Sequence, residues 1–175
     1  MKVVQLANAE FLPHVCELVR AGHTVSIRAK GNSMRPFLES GRDVAFLSAS
    51  TSYKVHDVVL AEIAQGHYVL HRIDRIVLPD GTRTKAVTTD PDAAVTLRGD
   101  GNVRGTEQCR LKDIRAVARQ FERNGKMWQT DTRFWWCYSR LWRICLPVRR
   151  YLLAAYRLLW RGELPQRFRR NKNKK

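Results

Sequence analysis

The sequence predicts a mainly β domain with flanking helices. Three observations carry this expectation. Seven short segments rich in Val, Ile, Thr and aromatic residues are separated by turn residues, with no helical pattern between them. One helical pattern precedes them, and two follow a change of character after Asn124-Gly125. Many short strands without intervening helices argue for a coiled sheet or small barrel, not a doubly wound fold. At 175 residues and 44% apolar, the chain suffices for one packed domain with an appendage.

The opening helix is expected over 8–21. Asn8 caps it, Pro13 stands near its first turn, and Phe11, Val15, Leu18 and Val19 form an apolar face. Gly22 ends it. Strands are expected at 24–29, 43–48, 57–63, 68–77, 83–88, 95–98 and 114–122. Turns such as Pro79-Asp80-Gly81 and Asp90-Pro91-Asp92 punctuate them. Residues 132–161 read as two helices broken by Pro147. The first carries Phe134, Cys137, Tyr138, Leu141 and Cys145 on one side. In the second, Val148, Leu152, Ala155 and Leu159 form an apolar stripe, and Arg150, Arg157 and Arg161 a basic one. The run at 171–175 is expected to be disordered. The division is therefore an N-terminal helix at 1–23, a β domain at 24–125 and a basic aromatic tail at 126–175.

Net charge is +16 and unevenly distributed. Thirteen Lys or Arg and one acid, Glu163, lie between Arg133 and Lys175, which leaves about +4 for everything before them. A uniformly basic nucleic-acid binder would not divide this way. The tail has three readings. Its arginines could meet anionic headgroups with Trp, Leu and Phe at the acyl boundary. They could instead neutralise phosphates while aromatics stack on bases, the less favoured reading. Or the apolar stripe packs on the β domain and the arginines are solvated.

The start, MKVVQLANAEFLPH, has no apolar h-region followed by a cleavage site, and no stretch of about 18 apolar residues occurs. Cys16, Cys109, Cys137 and Cys145 show no C-x-x-C spacing. The expectation is a cytoplasmic chain with free thiols, peripheral at the inner face of a membrane if the tail docks there. His67 and His71 have the spacing of helical zinc ligands, but in a strand they stand about 13 Å apart. No metal or cofactor is expected.

Four blocks carry the chemistry: Gly31-Asn32-Ser33-Met34-Arg35-Pro36, then YKVHDVVLAEI, then YVLHRIDRI, then LRGDGN. In this order they resemble the boxes of the signal peptidase and LexA-type serine peptidase superfamily, over residues 24 to 120. The resemblance implies that fold, a nucleophile at Ser33 and a base on the third block. There the histidine of Val69-Leu70-His71-Arg72-Ile73 is similar to the endoplasmic-reticulum and archaeal type of signal peptidase, which makes His71 the base. Such a base activates a hydroxyl that is otherwise a weak nucleophile. Val69, His71 and Ile73 share one face of an alternating strand.

The third member is left between two carboxylates. Asp100 matches the Gly-Asp-Asn box and ranks first. Glu107 is the alternative, next to Thr106, where the family carries a further aspartate. Gly31 stands where a hydroxyl residue often helps the oxyanion site, so the amides of Ser33 and Asn32 fall to that role. The implied function is a serine endopeptidase cleaving a peptide or precursor protein, the substrate adding as a strand beside 24–29. The alternative is a non-catalytic or self-cleaving protein of the same fold, with Ala21-Gly22 as the scissile pair. It would bind membrane or nucleic acid through its tail.

Overall fold

The structure, a computed structural model, describes residues 8–160. The Arg161 position of the basic stripe, the run at 171–175 and the side chain of Asn8 lie outside the described residues. The chain begins with α1 (Asn8–Arg20) and continues through nine strands. These are β1 (Val25–Arg28), β2 (Val44–Ser48), β3 (Val58–Ala64), β4 (His67–Val77), β5 (Arg83–Thr84), β6 (Ala94–Arg98), β7 (Glu107–Arg110), β8 (Ile114–Arg123) and β9 (Lys126–Gln129). Two helices follow, α2 (Arg133–Ile144) and α3 (Arg149–Trp160).

The strands form one antiparallel sheet in the order β1-β2-β8-β3-β4-β6-β7, with β5 on β4 and β9 on β8. The sheet is open, and β1 and β7 stand at its two ends. At its centre, β3 begins Val58-Val59-Leu60-Ala61, all buried. Such a run is expected of a strand covered on both faces. Val58 and Leu60 join α1, β1, β2, Phe37, Phe121 and Trp135 in one core cluster. Val59 and Ala61 join Ile73, Val95, Leu97 and Val117 in the other.

Along β8 the two faces exchange. Ala116 and Ala118 belong to the first cluster and Val117 to the second, so strict alternation would send Phe121 to the second. The pairing to β2 steps from Leu47↔Ala118 to Phe46↔Gln120, leaving Arg119 as an extra residue. That bulge restores Phe121 to the first cluster, edge-on to Phe37 at 5.0 Å between ring centroids.

Gly22, with φ +91°, ends α1 where a side chain would be strained. Two strands depart from the expected set. Glu107–Arg110 has no apolar alternation because β7 is a half-exposed edge strand. Asn124-Gly125, read as a boundary, is a hairpin turn: φ is 48° and 74° at the two positions, as a tight two-residue turn demands. The sheet therefore continues through β9, past the expected boundary at residue 125.

The helices after it belong to the body as well. Thr132 caps α2 through the Trp135 amide, and Trp135 and Tyr138 pack against Phe37. A chain cut after Gly125 would uncover Phe37 and Phe121. α3 touches the body through Arg149, Leu153 and Tyr156, the last bonded to Glu39 at 2.5 Å. The stripe of Val148, Leu152 and Leu159 is not that contact face. These side chains are exposed, together with Tyr151 and Leu158.

Candidate active site

The loop between β1 and β2 presents Ser33. It is held from below by Met34, Phe37 and Leu38, all in the core. Its far end is fixed by the buried Asp43 carboxylate, which accepts from the Glu39 amide at 2.8 Å and from Arg42. Ser33 thus rides on a packed turn.

β4 supplies the imidazole. Adjacent residues of a strand point to opposite faces, and β4 uses this at His71 and Arg72. His71 pairs across from Val59, on the face of the second cluster, with Val69 and Ile73 as its neighbours. Its Nδ1 lies 2.8 Å from Glu107 Oε2 on β7. A carboxylate only accepts, so Nδ1 carries the hydrogen and Nε2 is left as the acceptor. Burial pushes the His71 pKa below its ordinary value; Glu107 and Asp100 pull the other way without overcoming it.

Arg72 turns to the other face. It makes a bidentate pair with Asp100 at 2.9 and 2.8 Å, donates to Ser139 Oγ at 2.7 Å and to the His56 carbonyl at 3.1 Å. It lies over the Trp135 ring at 4.7 Å. Asp100 also receives Tyr138, and its carbonyl accepts from Trp142 Nε1. The expected ranking of the two carboxylates is therefore reversed in the geometry. Glu107 meets the imidazole, and Asp100 is fully engaged with Arg72. The reason is strand alternation: Asp100 lies on the side of the sheet to which Arg72 points.

Two glycines bring the pieces together, and neither was singled out from sequence. A side chain at Gly99 would place its Cβ 2.3 Å from the Ser33 carbonyl oxygen and 3.1 Å from His71 Nε2. One at Gly101 would stand 2.5 Å from the Asn32 carbonyl oxygen, and the Gly101 amide donates to the Ser33 carbonyl at 2.7 Å. The 99–101 turn thus lies directly on the Ser33 loop, with His71 Nε2 in the same contact. The legible signal was the pair of glycines around Asp100, since close backbone approach demands glycine.

Ser33 and His71 share no hydrogen bond among the described residues, and the amides of Asn32 and Ser33 have no acceptor there. Dyad hydrogen bonds commonly tighten only once substrate is bound. The arrangement offers a hydroxyl, a neutral imidazole fixed in one tautomer by a carboxylate, and two unengaged amides. Among the described residues no group of three or more His, Cys, Asp or Glu is placed to hold a metal ion, and no helix is long and apolar enough to cross a membrane. Compared with protein families, curated proteins and solved structures, the chain matches none.

Proposed function

We propose that the chain is a serine peptidase in which Ser33, His71 and Glu107 act together. The observation that supports this most is the placement of His71. Its Nδ1 is held by Glu107, while its Nε2 and the Ser33 backbone both abut the point where a Gly99 Cβ would stand. In this reading His71 Nε2 takes the Ser33 proton as Oγ attacks the scissile carbonyl carbon. The Ser33 and Asn32 amides hold the developing oxyanion. The imidazolium then protonates the leaving amine, and water, deprotonated by the same nitrogen, releases the acyl group. The peptide would enter extended along β1, whose outer edge carries no strand among the described residues.

A serine-directed fluorophosphonate tests this reading. Labelling at Ser33, lost in both Ser33→Ala and His71→Ala, supports the enzyme. A folded wild type that no such probe labels would favour a non-catalytic protein of the same fold.

A second reading concerns location. Tyr151, Leu152, Leu158 and Leu159 are exposed on α3, and α2 and α3 carry six arginines with no acid. An apolar stripe flanked by guanidinium groups suits an anionic bilayer surface. Nucleic acid would leave those leucines without an apolar partner, so the membrane surface is favoured.

A further inference from the structure

Beneath the joint between α2 and α3, on the side of the sheet opposite His71, lies a cleft lined by His56, Asp74, Arg98, Trp142, Arg143 and Arg149, with the Arg72–Asp100 pair at its base. Its charges do not balance. Four guanidinium groups (Arg72, Arg98, Arg143 and Arg149) face two carboxylates (Asp74 and Asp100), and Arg72 fully occupies Asp100. Asp74 is shared at longer range, 3.7 Å from Arg98 Nε and 3.5 Å from Arg143 Nε.

Arg149 is the anomaly. Only 3% exposed, it has no carboxylate within ion-pair distance among the described residues. Its terminal nitrogens donate to the carbonyls of Trp142 at 2.7 Å and Asn102 at 3.4 Å, and it lies over the Trp142 ring at 5.1 Å. Among the described residues its buried Nε has no hydrogen-bond partner, and neither has that of Arg98, whose Asp74 contact is too long for one. A buried cation normally has an ionic partner, and a buried N–H an acceptor. Here both are missing at one place. The cleft opens to solvent beside Arg143, 40% exposed, so a ligand can reach it.

We propose that Arg98, Arg143 and Arg149 form a binding site for a phosphoryl anion, separate from the Ser33–His71 face. A phosphoryl group has several acceptor oxygens and matches the planar fork of guanidinium better than a spherical ion does. Its negative charge offsets the two excess cations, and its oxygens satisfy the orphaned Nε–H groups. Burial, with Arg72 and Arg143 nearby, pushes His56 down to about 4. The imidazole is therefore neutral at physiological pH and adds a hydrogen-bonding group without adding charge. The anion comes free or as the headgroup of a lipid lying against α3.

The test titrates the full chain with inorganic phosphate at ionic strength fixed by chloride, reading the melting temperature and the heat of binding. A saturable, phosphate-specific rise is expected. Arg143→Gln and Arg98→Gln should each weaken it at least tenfold, and Arg157→Gln, the same charge loss away from the cleft, less than twofold. Vesicles of phosphatidylglycerol then identify the source. Phosphate that displaces the wild type from them assigns a lipid headgroup, and phosphate that binds without displacing it assigns the free anion. A rise no larger than chloride gives, or one equally weakened by Arg157→Gln, overturns the site.

Discussion

His71 Nδ1 stands 2.8 Å from Glu107 Oε2, while the neighbouring Arg72 grips Asp100 on the opposite face of the same strand. The two carboxylates therefore have different duties, and they should fail differently. Glu107→Gln should leave the melting temperature nearly unchanged and lower turnover by about 10²–10⁴-fold, because the amide no longer enforces the Nδ1–H tautomer. Asp100→Asn strands a buried guanidinium and should cost about 3–5 kcal/mol of stability in urea unfolding. A stable Asp100→Asn with turnover lost, beside an active Glu107→Gln, would restore Asp100 as the third member.

The pH profile follows from burial. The folded pKa of His71 lies below its value of about 6.5 in an unfolded chain. Its neutral, base-competent form thus persists below pH 6.5, and the acid limb of kcat/KM should fall below that value. Removing the Glu107 charge takes away a contribution that raises the pKa, so residual activity in Glu107→Gln should have its limb further to acid. A limb above 6.5 would contradict the assignment.

Stability has a related window. His56 and His71 both have folded values below the unfolded one, so the unfolded chain binds more protons as the solution is acidified. Their contribution is complete above about pH 6.5 and is lost as pH falls through that value, toward about 4 for His56. Urea midpoints measured from pH 7.5 to 4.5 should fall across this range, and His56→Gln should flatten the fall.

Gly99→Ala tests the close approach. The added carbon would stand 2.3 Å from the Ser33 carbonyl oxygen, backbone that cannot swing aside. Displacing the loop by about 1 Å should cost about 10²-fold in turnover. Labelling of Ser33 at the wild-type rate in this variant would show that the contact does not position the serine.

On α3, two leucines should separate packing from docking. Leu153 is 4% exposed and Leu159 is 82% exposed. Leu153→Ala should destabilise by about 2–4 kcal/mol. Leu159→Ser should change stability by no more than about 0.5 kcal/mol and weaken sedimentation with anionic vesicles. Vesicle binding untouched by Leu158→Ser and Leu159→Ser together would remove the membrane reading.

Much of the architecture could be read from apolar spacing. All seven expected strands have counterparts, though the one expected at 83–88 shrinks to Arg83–Thr84, and Pro147 does separate two helices. Edges were harder. Glu107–Arg110 is a strand because Ala94–Arg98 offers it hydrogen bonds, not because its side chains alternate. Lys126–Gln129 was hidden by a turn signal that marks a hairpin and a linker equally well. Within the site, Ser33 and His71 were nameable from their blocks. The choice between Asp100 and Glu107 was not, because it depends on which face of β4 each carboxylate approaches. The burial of Trp135 and Ser139 was equally unreadable, since an aromatic, arginine-rich helix looks the same on a membrane as on a sheet.

The Arg72–Asp100 pair is covered by residues 67 and 42 positions later in the chain, Ser139 and Trp142. During synthesis, β4 and the 99–101 turn therefore leave the ribosome well before their cover. Until α2 emerges, a charged pair meant for the interior faces water, and Phe37 and Phe121 lack Trp135. We expect the nascent chain to stay unreactive until Trp142 has cleared the exit tunnel. Ribosome-stalled chains with residue 125 just clear of the exit tunnel should then resist the serine probe, and those carrying α2 clear of it should accept it. Equal labelling of both lengths would show that the site matures without its helix. If the expectation holds and the chain is the peptidase proposed above, synthesis itself delays proteolysis, and a half-made chain has no opportunity to cut its neighbours.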